Sequence, residues 1–389
     1  MKSNERTVLF GGAATGIFVF GIVMAVLGTL FGMPEMRQRL KIDLAQQGNL
    51  FLLLYAGILL ATLVAGPVID SIGNKVILVT SALLVASGMA GFAYAHSFGG
   101  AAIPAAVLGL GGGGLNTSTN ALVSDLYGDD RGPMLNVLGI FYGIGALGIP
   151  LLAAIIAGHL AIARQLQVCA GLAGVCALLF LSLQFPKASQ DQGFSWRDVL
   201  RVARFPGLLA MGFLLFCESG NEASIAGWTS TYVAETGLGA KAATFILAGY
   251  WAALMLGRLL VARMLKFVGK RQLVLASGLG AFAGAAILLA SRLEGMLVAG
   301  VILIGLSYAG VFPTALAIAG DTYTKMTGTV FGLLFAIALV GGMSFPWAVG
   351  QLSQRFGVHY AMMVPLAGAA GICALAGKIL WAEKRRDGQ

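Results

Sequence analysis

The feature that most constrains this chain is its almost unbroken apolar runs, such as Phe51 to Ile69 and Met296 to Ile318. A run of about 20 apolar residues is long enough to cross a bilayer as a helix. Inside the hydrocarbon only helices and closed barrels satisfy their own backbone hydrogen bonds. Barrel strands alternate apolar and polar residues over about ten positions, and these runs do not alternate. Helices remain. The chain has 389 residues, and a span with a short loop takes about 32 of them, so about twelve crossings are predicted. Charged residues make up 11% of the chain, against about 25% in soluble domains, which excludes a water-soluble enzyme. The predicted fold is an all-α integral membrane protein.

The hydropathy pattern places spans at 8–33, 47–67, 76–95, 100–125, 134–158, 162–184, 206–232, 242–264, 272–291, 295–319, 327–352 and 358–381. The first run is too long for a signal-peptide core and is read as an uncleaved span. The longest polar stretch, 186–205, separates an N-terminal six-helix bundle (1–185) from a C-terminal one (206–389) and reads as a cytoplasmic linker. With the N- and C-termini in the cytoplasm, 17 of the 25 Lys and Arg residues fall on the cytoplasmic side and seven outside, with Arg258 inside a span. That bias follows the positive-inside rule and orients the chain in the cell's inner membrane. The net charge of +9 is thereby a topology signal, and no nucleic-acid partner is expected. The four cysteines lie in apolar runs without the spacing of a disulfide framework or a zinc site. No cofactor and no metal is expected, and no catalytic cluster is recognisable.

An internal repeat is the more decisive observation. At an offset of 196 residues, without a gap, Gly73 meets Gly269, Ser81 meets Ser277, Gly88 meets Gly284, and Gly109-Leu110 meets Gly305-Leu306. Further on, Gly114 meets Gly310, Asp125 meets Asp321, Tyr127 meets Tyr323, Gly145 meets Gly341 and Pro150 meets Pro346. Two parallel six-span repeats are the layout of transporters that rock their halves about a site near the bilayer midplane.

The stretch Gly66-Pro67-Val68-Ile69-Asp70-Ser71-Ile72-Gly73-Asn74-Lys75 resembles the signature that major facilitator superfamily transporters carry between their second and third helices. In that family its Asp helps latch the cytoplasmic gate, which implies gating roles for Asp70, Gly73 and Lys75; Asn74 stands where a basic residue is usual. GLGGGGLNTSTNALVSDLY (109–127) and GLSYAGVFPTALAIA (305–319) are similar to segments of the fucose/galactose:proton symporter group and its sodium-glucose relatives. Asn116 stands where that group often has a carboxylate, and the first span carries no acidic residue. The resemblance implies twelve helices in two pseudo-symmetric bundles and a sugar as substrate.

Ionisable groups within hydrocarbon are costly and mark function by default. Glu218 and Glu222 are the acidic residues placed deep in a span, at i and i+4 on one helical face. Two carboxylates so close do not both ionise easily, which suits proton exchange; alternatively both ionise around a sodium ion, or one simply pairs with Arg258. Asn116 and Asn120 share the same spacing, and amides offer the donors and acceptors a neutral polyol needs; interhelical bonding is the plain alternative. Asn221, Trp228, Tyr232, Tyr308 and Trp347 complete the substrate candidates, the aromatics as stacking surfaces. Asp125 and Asp321 read as gate or capping groups, with Arg131 and Lys325 as partners. The glycine run 111–114 lacks the following Lys and the preceding strand of a phosphate loop, so it reads as close helix packing.

The expected function is therefore secondary transport of a hexose or related polyol by alternating access, coupled to protons or sodium, by a monomer in the bilayer. An exporter of amphipathic drugs or metabolites is the alternative within transport. A non-transporting receptor or scaffold is the alternative outside it, since fold does not fix function.

Overall fold

The computed structural model describes residues 3–128, 131–156, 159–186, 201, 203–323 and 327–387. Most of the predicted linker 186–205, with Lys187 and Arg197, and also Lys325, lie outside the described residues. The chain divides into two compact units, Met1–Gly193 and Phe194–Gln389.

The first unit runs α1 (Ser3–Phe31), α2 (Pro34–Leu40), α3 (Leu44–Ile72), α4 (Asn74–Tyr94), α5 (Phe98–Tyr127), α6 (Arg131–Ile156) and α7 (Ile162–Ser182). The short α2 was not read from hydropathy. It opens on Pro34, whose missing N–H costs nothing at a first helical position. The start of α3 is fixed by a capping box: Asp43 Oδ1 accepts from the Gln46 N–H at 2.7 Å, and Gln46 Oε1 accepts from the Asp43 N–H at 3.2 Å. The expected loop between the second and third spans is a single residue, Gly73. Asp70, Ser71 and Ile72 finish α3, Asn74 already begins α4, and the corner has φ of 88°, which glycine adopts without strain.

The second unit runs α8 (Pro206–Val233), a π-helical turn (Ala234–Leu238), α9 (Gly239–Met264), α10 (Lys270–Ala290), α11 (Glu294–Tyr308), α12 (Val311–Thr322), α13 (Thr327–Phe356), the one-turn α14 (Val358–Ala361) and α15 (Met363–Asp387). Pro206–Met264 is one apolar helical stretch of 59 residues, too long for a single crossing. It folds back at the π turn, where Gly237 and Gly239 have φ of 94° and 76°, so two spans come from it and twelve are described in all. The tenth span is interrupted: α11 stops at Tyr308 and α12 starts at Val311. Pro313 lacks the N–H that the Ala309 carbonyl would receive in a continuous helix, and its ring crowds that carbonyl. At the equivalent position of the first unit stands Thr117, and α5 runs unbroken.

The repeated glycines are where helices approach most closely. A Cβ on Gly109 would strike the Leu54 carbonyl, and one on Gly113 would lie 2.6 Å from the Ile58 carbonyl oxygen, both on α3. Gly111 abuts the Ser81 carbonyl on α4, and Gly112 abuts Val23 on α1. In the second unit Gly305 abuts the Tyr250 carbonyl, as Gly109 abuts that of Leu54. Gly88 against Leu108 is matched by Gly284 against Ile304, and Gly145 against Phe18 by Gly341 against Phe216. In a bilayer, helix association draws on such van der Waals fit, so the 196-residue repeat of glycines is a repeat of packing.

Candidate functional site

Helix α8 carries the acidic pair. Glu218 is 1% exposed and Asn221 wholly buried, while Glu222 is half-buried. Asn221 Nδ2 donates to the Tyr308 hydroxyl at 2.7 Å, joining α8 to the last residue of α11 before its interruption. Arg258 on α9 acts electrostatically on both carboxylates, so two potential negative charges share one guanidinium. Glu218 Oε1 and Asn221 Oδ1 are buried and accept no hydrogen bond. The wall beside Asn221 is tight: a Cβ on Gly368 of α15 would collide with Asn221 Oδ1 and stand 2.6 Å from the Phe345 ring. The first span of the first unit, 8–33, carries no acidic residue and no Asn, and Gly112 stands at the repeat equivalent of Tyr308. This polar cluster therefore belongs to one half of the repeat.

The aromatic candidates are placed otherwise. Trp228 is fully buried and its Nε1 donates to the Pro346 carbonyl at 3.0 Å. The Tyr232 hydroxyl donates to the Leu288 carbonyl at 2.8 Å and lies 3.1 Å from His359 Nδ1, with the two rings stacked. Neither presents an exposed face on which a sugar ring could stack, and their polar edges hold helices together instead. Trp347 is 40% exposed.

In the first unit Asn116 and Asn120 are half-buried on α5. Asn120 Nδ2 donates to Asn116 O at 2.8 Å and to Asn116 Oδ1 at 3.0 Å, so the two amides form one unit. Gly112 faces α1 and Gly113 faces α3; position 116, one turn on, lies on the face of α5 between those two neighbours.

The gating candidates split. Asp70 is exposed at the end of α3 and close enough to Asp125 to repel it. Among the described residues no ion pair joins Asp125 to Arg131, which is exposed at the start of α6. Lys75 Nζ donates to the carbonyls of Leu181 and Leu183 at 2.7 and 2.9 Å, closing the C-terminus of α7. Asp321 pairs with Lys270 at 2.5 Å; Lys325, its expected partner, lies outside the described residues. Lys270 corresponds by the repeat to Asn74, whose Oδ1 accepts from Ser118 at 2.8 Å. The Arg6 guanidinium lies 3.8 Å above the Tyr127 ring, a contact that no charge pattern in the sequence announces. The repeated tyrosine was its one signal, for Tyr323 likewise packs on the entry to its unit's first span, against Phe205.

A polytopic helical chain built as a six-span repeat, with carboxylates inside one span, has the layout of a membrane transporter. It belongs to the Major Facilitator Superfamily, whose family model matches residues 13–255 and 211–389. Among its relatives are a TsgA homolog of Enterobacter sp. (strain 638), 23% identical over 66% of this chain and 64% of that protein, and the uncharacterized transporter y4wD of Sinorhizobium fredii, 23% identical over 94% and 96%. Sodium-dependent glucose transporter 1 of Rattus norvegicus is 28% identical over 41% of this chain and 32% of that protein. The chain thus spans just under two thirds of the TsgA homolog's length and one third of the rat protein's. A crystal structure of a point mutant of the nucleoside transporter NupG superposes with a TM-score of 0.80 at 16% identity, covering 97% of this chain and 99% of that one, a likeness of fold.

Proposed function

We propose that this chain is a secondary active transporter of the cell membrane that moves a hexose or related polyol by alternating access, driven by a cation bound at Glu218 and Glu222. The observation that carries the reading is the acidic pair in α8, Glu218 buried and Glu222 half-buried, both acted on by a single guanidinium. Such a pair is costly to keep within hydrocarbon unless its charge state is used. Cation binding drives transport only by favouring one facing state over the other. The amide pair Asn116–Asn120 suits hydroxyl groups, which need both donors and acceptors, and the partial similarity to a sodium-dependent glucose transporter supports a sugar. The Lys and Arg distribution supports cytoplasmic termini. Asp70, Asp125, Lys75 and the Lys270–Asp321 pair are the proposed gate elements.

The test is uptake by proteoliposomes of a panel of labelled hexoses, polyols and nucleosides under imposed proton and sodium gradients. Saturable accumulation of a hexose or polyol that Asn116→Ala weakens and Glu218→Gln uncouples supports the proposal. Flux of amphipathic drugs alone, or gradient-driven accumulation intact in both Glu218→Gln and Glu222→Gln, overturns it.

A further inference from the structure

Resting on the proposed coupling role of α8, we infer that the cation taken by this site is one proton, carried by Glu218 with Asn221 Oδ1 as its hydrogen-bond acceptor. Three observations converge on it.

The first is a count of charge. Glu218 and Glu222 can carry two negative charges, and Arg258 supplies one positive charge acting on both. A buried set with one uncompensated charge is expensive, and one monovalent cation neutralises it. Among the described residues the charged and titratable groups acting on Glu218 are Glu222 from its own helix, Arg258 from α9 and Tyr308 from α11, with Cys217 and Cys373 acting on Tyr308 in turn. None supplies a second positive charge.

The second is the pattern of unmet hydrogen bonds. Glu218 Oε1 and Asn221 Oδ1 are both buried acceptors without a donor. They lie three residues apart, on one helical face. Leaving such groups unpaired is costly. A proton added to the Glu218 carboxylate gives a neutral carboxylic acid, which is a donor, and the unmet acceptor one turn along the helix is the partner it lacks. The other end of the Asn221 amide is already committed, donating to Tyr308.

The third is space. A hard cation is held by a shell of several oxygens. Gly368 of α15 stands so close to Asn221 Oδ1 that even a Cβ there would collide with it, which leaves no room for a further side-chain ligand on that side. A proton needs no shell.

The same bonds connect the proton to the backbone. Asn221 holds Tyr308, the residue at which α11 is interrupted, so orienting the Asn221 amide orients the end of that half-helix. Asn221 is accordingly a positioning residue of the proton site rather than a sugar ligand.

The experiment uses the full-length chain in lipid nanodiscs with no transported solute. Infrared difference spectra are recorded across pH, in NaCl and in KCl, together with thermal unfolding. One carboxylic-acid carbonyl band is expected near neutral pH; Glu218→Gln abolishes it, Glu222→Gln removes the second negative charge so that the band is lost at lower pH than in the parent, and Asn221→Ala shifts it to higher frequency by removing its acceptor. Unfolding temperatures in sodium and potassium should coincide. A band that survives Glu218→Gln, no shift in Asn221→Ala, or stabilisation specific to sodium overturns the inference; the last comparison needs only the unmodified chain, so a variant that fails to fold leaves it decisive. A sodium-specific result would leave the transport reading intact, and absence of sugar flux would leave the proton site intact.

Discussion

Gly113→Ala and Gly171→Ala are the same chemical change with opposite expected signs. At Gly113 the new methyl would stand 2.6 Å from the Ile58 carbonyl oxygen and 2.9 Å from both Ile58 Cα and Ala61 Cβ. Ordinary contact begins at 3.4 Å, so α5 and α3 must part by about 0.8 Å, and the obstacle is backbone that no rotamer can relieve. Forced overpacking of this kind costs about 1–3 kcal/mol. At Gly171, on an exposed face of α7, a Cβ meets nothing within 4 Å. Both substitutions gain the helix propensity of Ala over Gly, about 1 kcal/mol. That gain cancels when the two are compared, and the difference between them isolates the overpacking. Unfolding titrations with SDS in mixed micelles, extrapolated linearly, should place Gly171→Ala at or above the parent and Gly113→Ala about 1–3 kcal/mol below Gly171→Ala. Equal shifts for both would refute the claim that the glycine run exists for helix approach.

Gly73 and Gly269 match in the repeat but not in backbone. With φ of 88° against −63°, Gly73→Ala should cost about 1–2 kcal/mol, and Gly269→Ala should be neutral or stabilising in the same titration. The Lys270–Asp321 pair, with side chains 42% and 66% exposed, should contribute less than about 1 kcal/mol; a larger loss in Lys270→Ala would show it to be more than a surface pair. Tyr308→Phe strips the acceptor from a buried amide and should destabilise by about 1–3 kcal/mol, with Asn221→Leu added to it recovering part of that loss.

What could be read in advance was whatever hydropathy and residue identity carry directly. Twelve spans follow from run length, the repeat from matched Gly, Asp, Tyr and Pro, and the importance of Glu218 and Glu222 from the scarcity of charge at depth. Three kinds of feature were hidden. Pro313 was visible, but whether a proline bends or interrupts a membrane helix depends on its neighbours. Partner choice is tertiary: Lys270 reaches Asp321 across 51 positions of sequence, and Lys75 spends its charge on the carbonyls of α7. Side-chain direction was the third. Trp228 shares a helix with the acidic pair, yet its indole points to Pro346, and an assignment from sequence proximity cannot anticipate that.

The single-residue corner at Gly73 also has a mechanical consequence. Helix α3 has 29 residues and is about 44 Å long, and it meets α4 with no slack between them. A change of 10° at that one residue would swing the far end of α3 by about 8 Å for a rod of that length. Gly73 is then the fulcrum of a lever, and its backbone torsions set how far the far end of the bundle travels for a small movement at the near one.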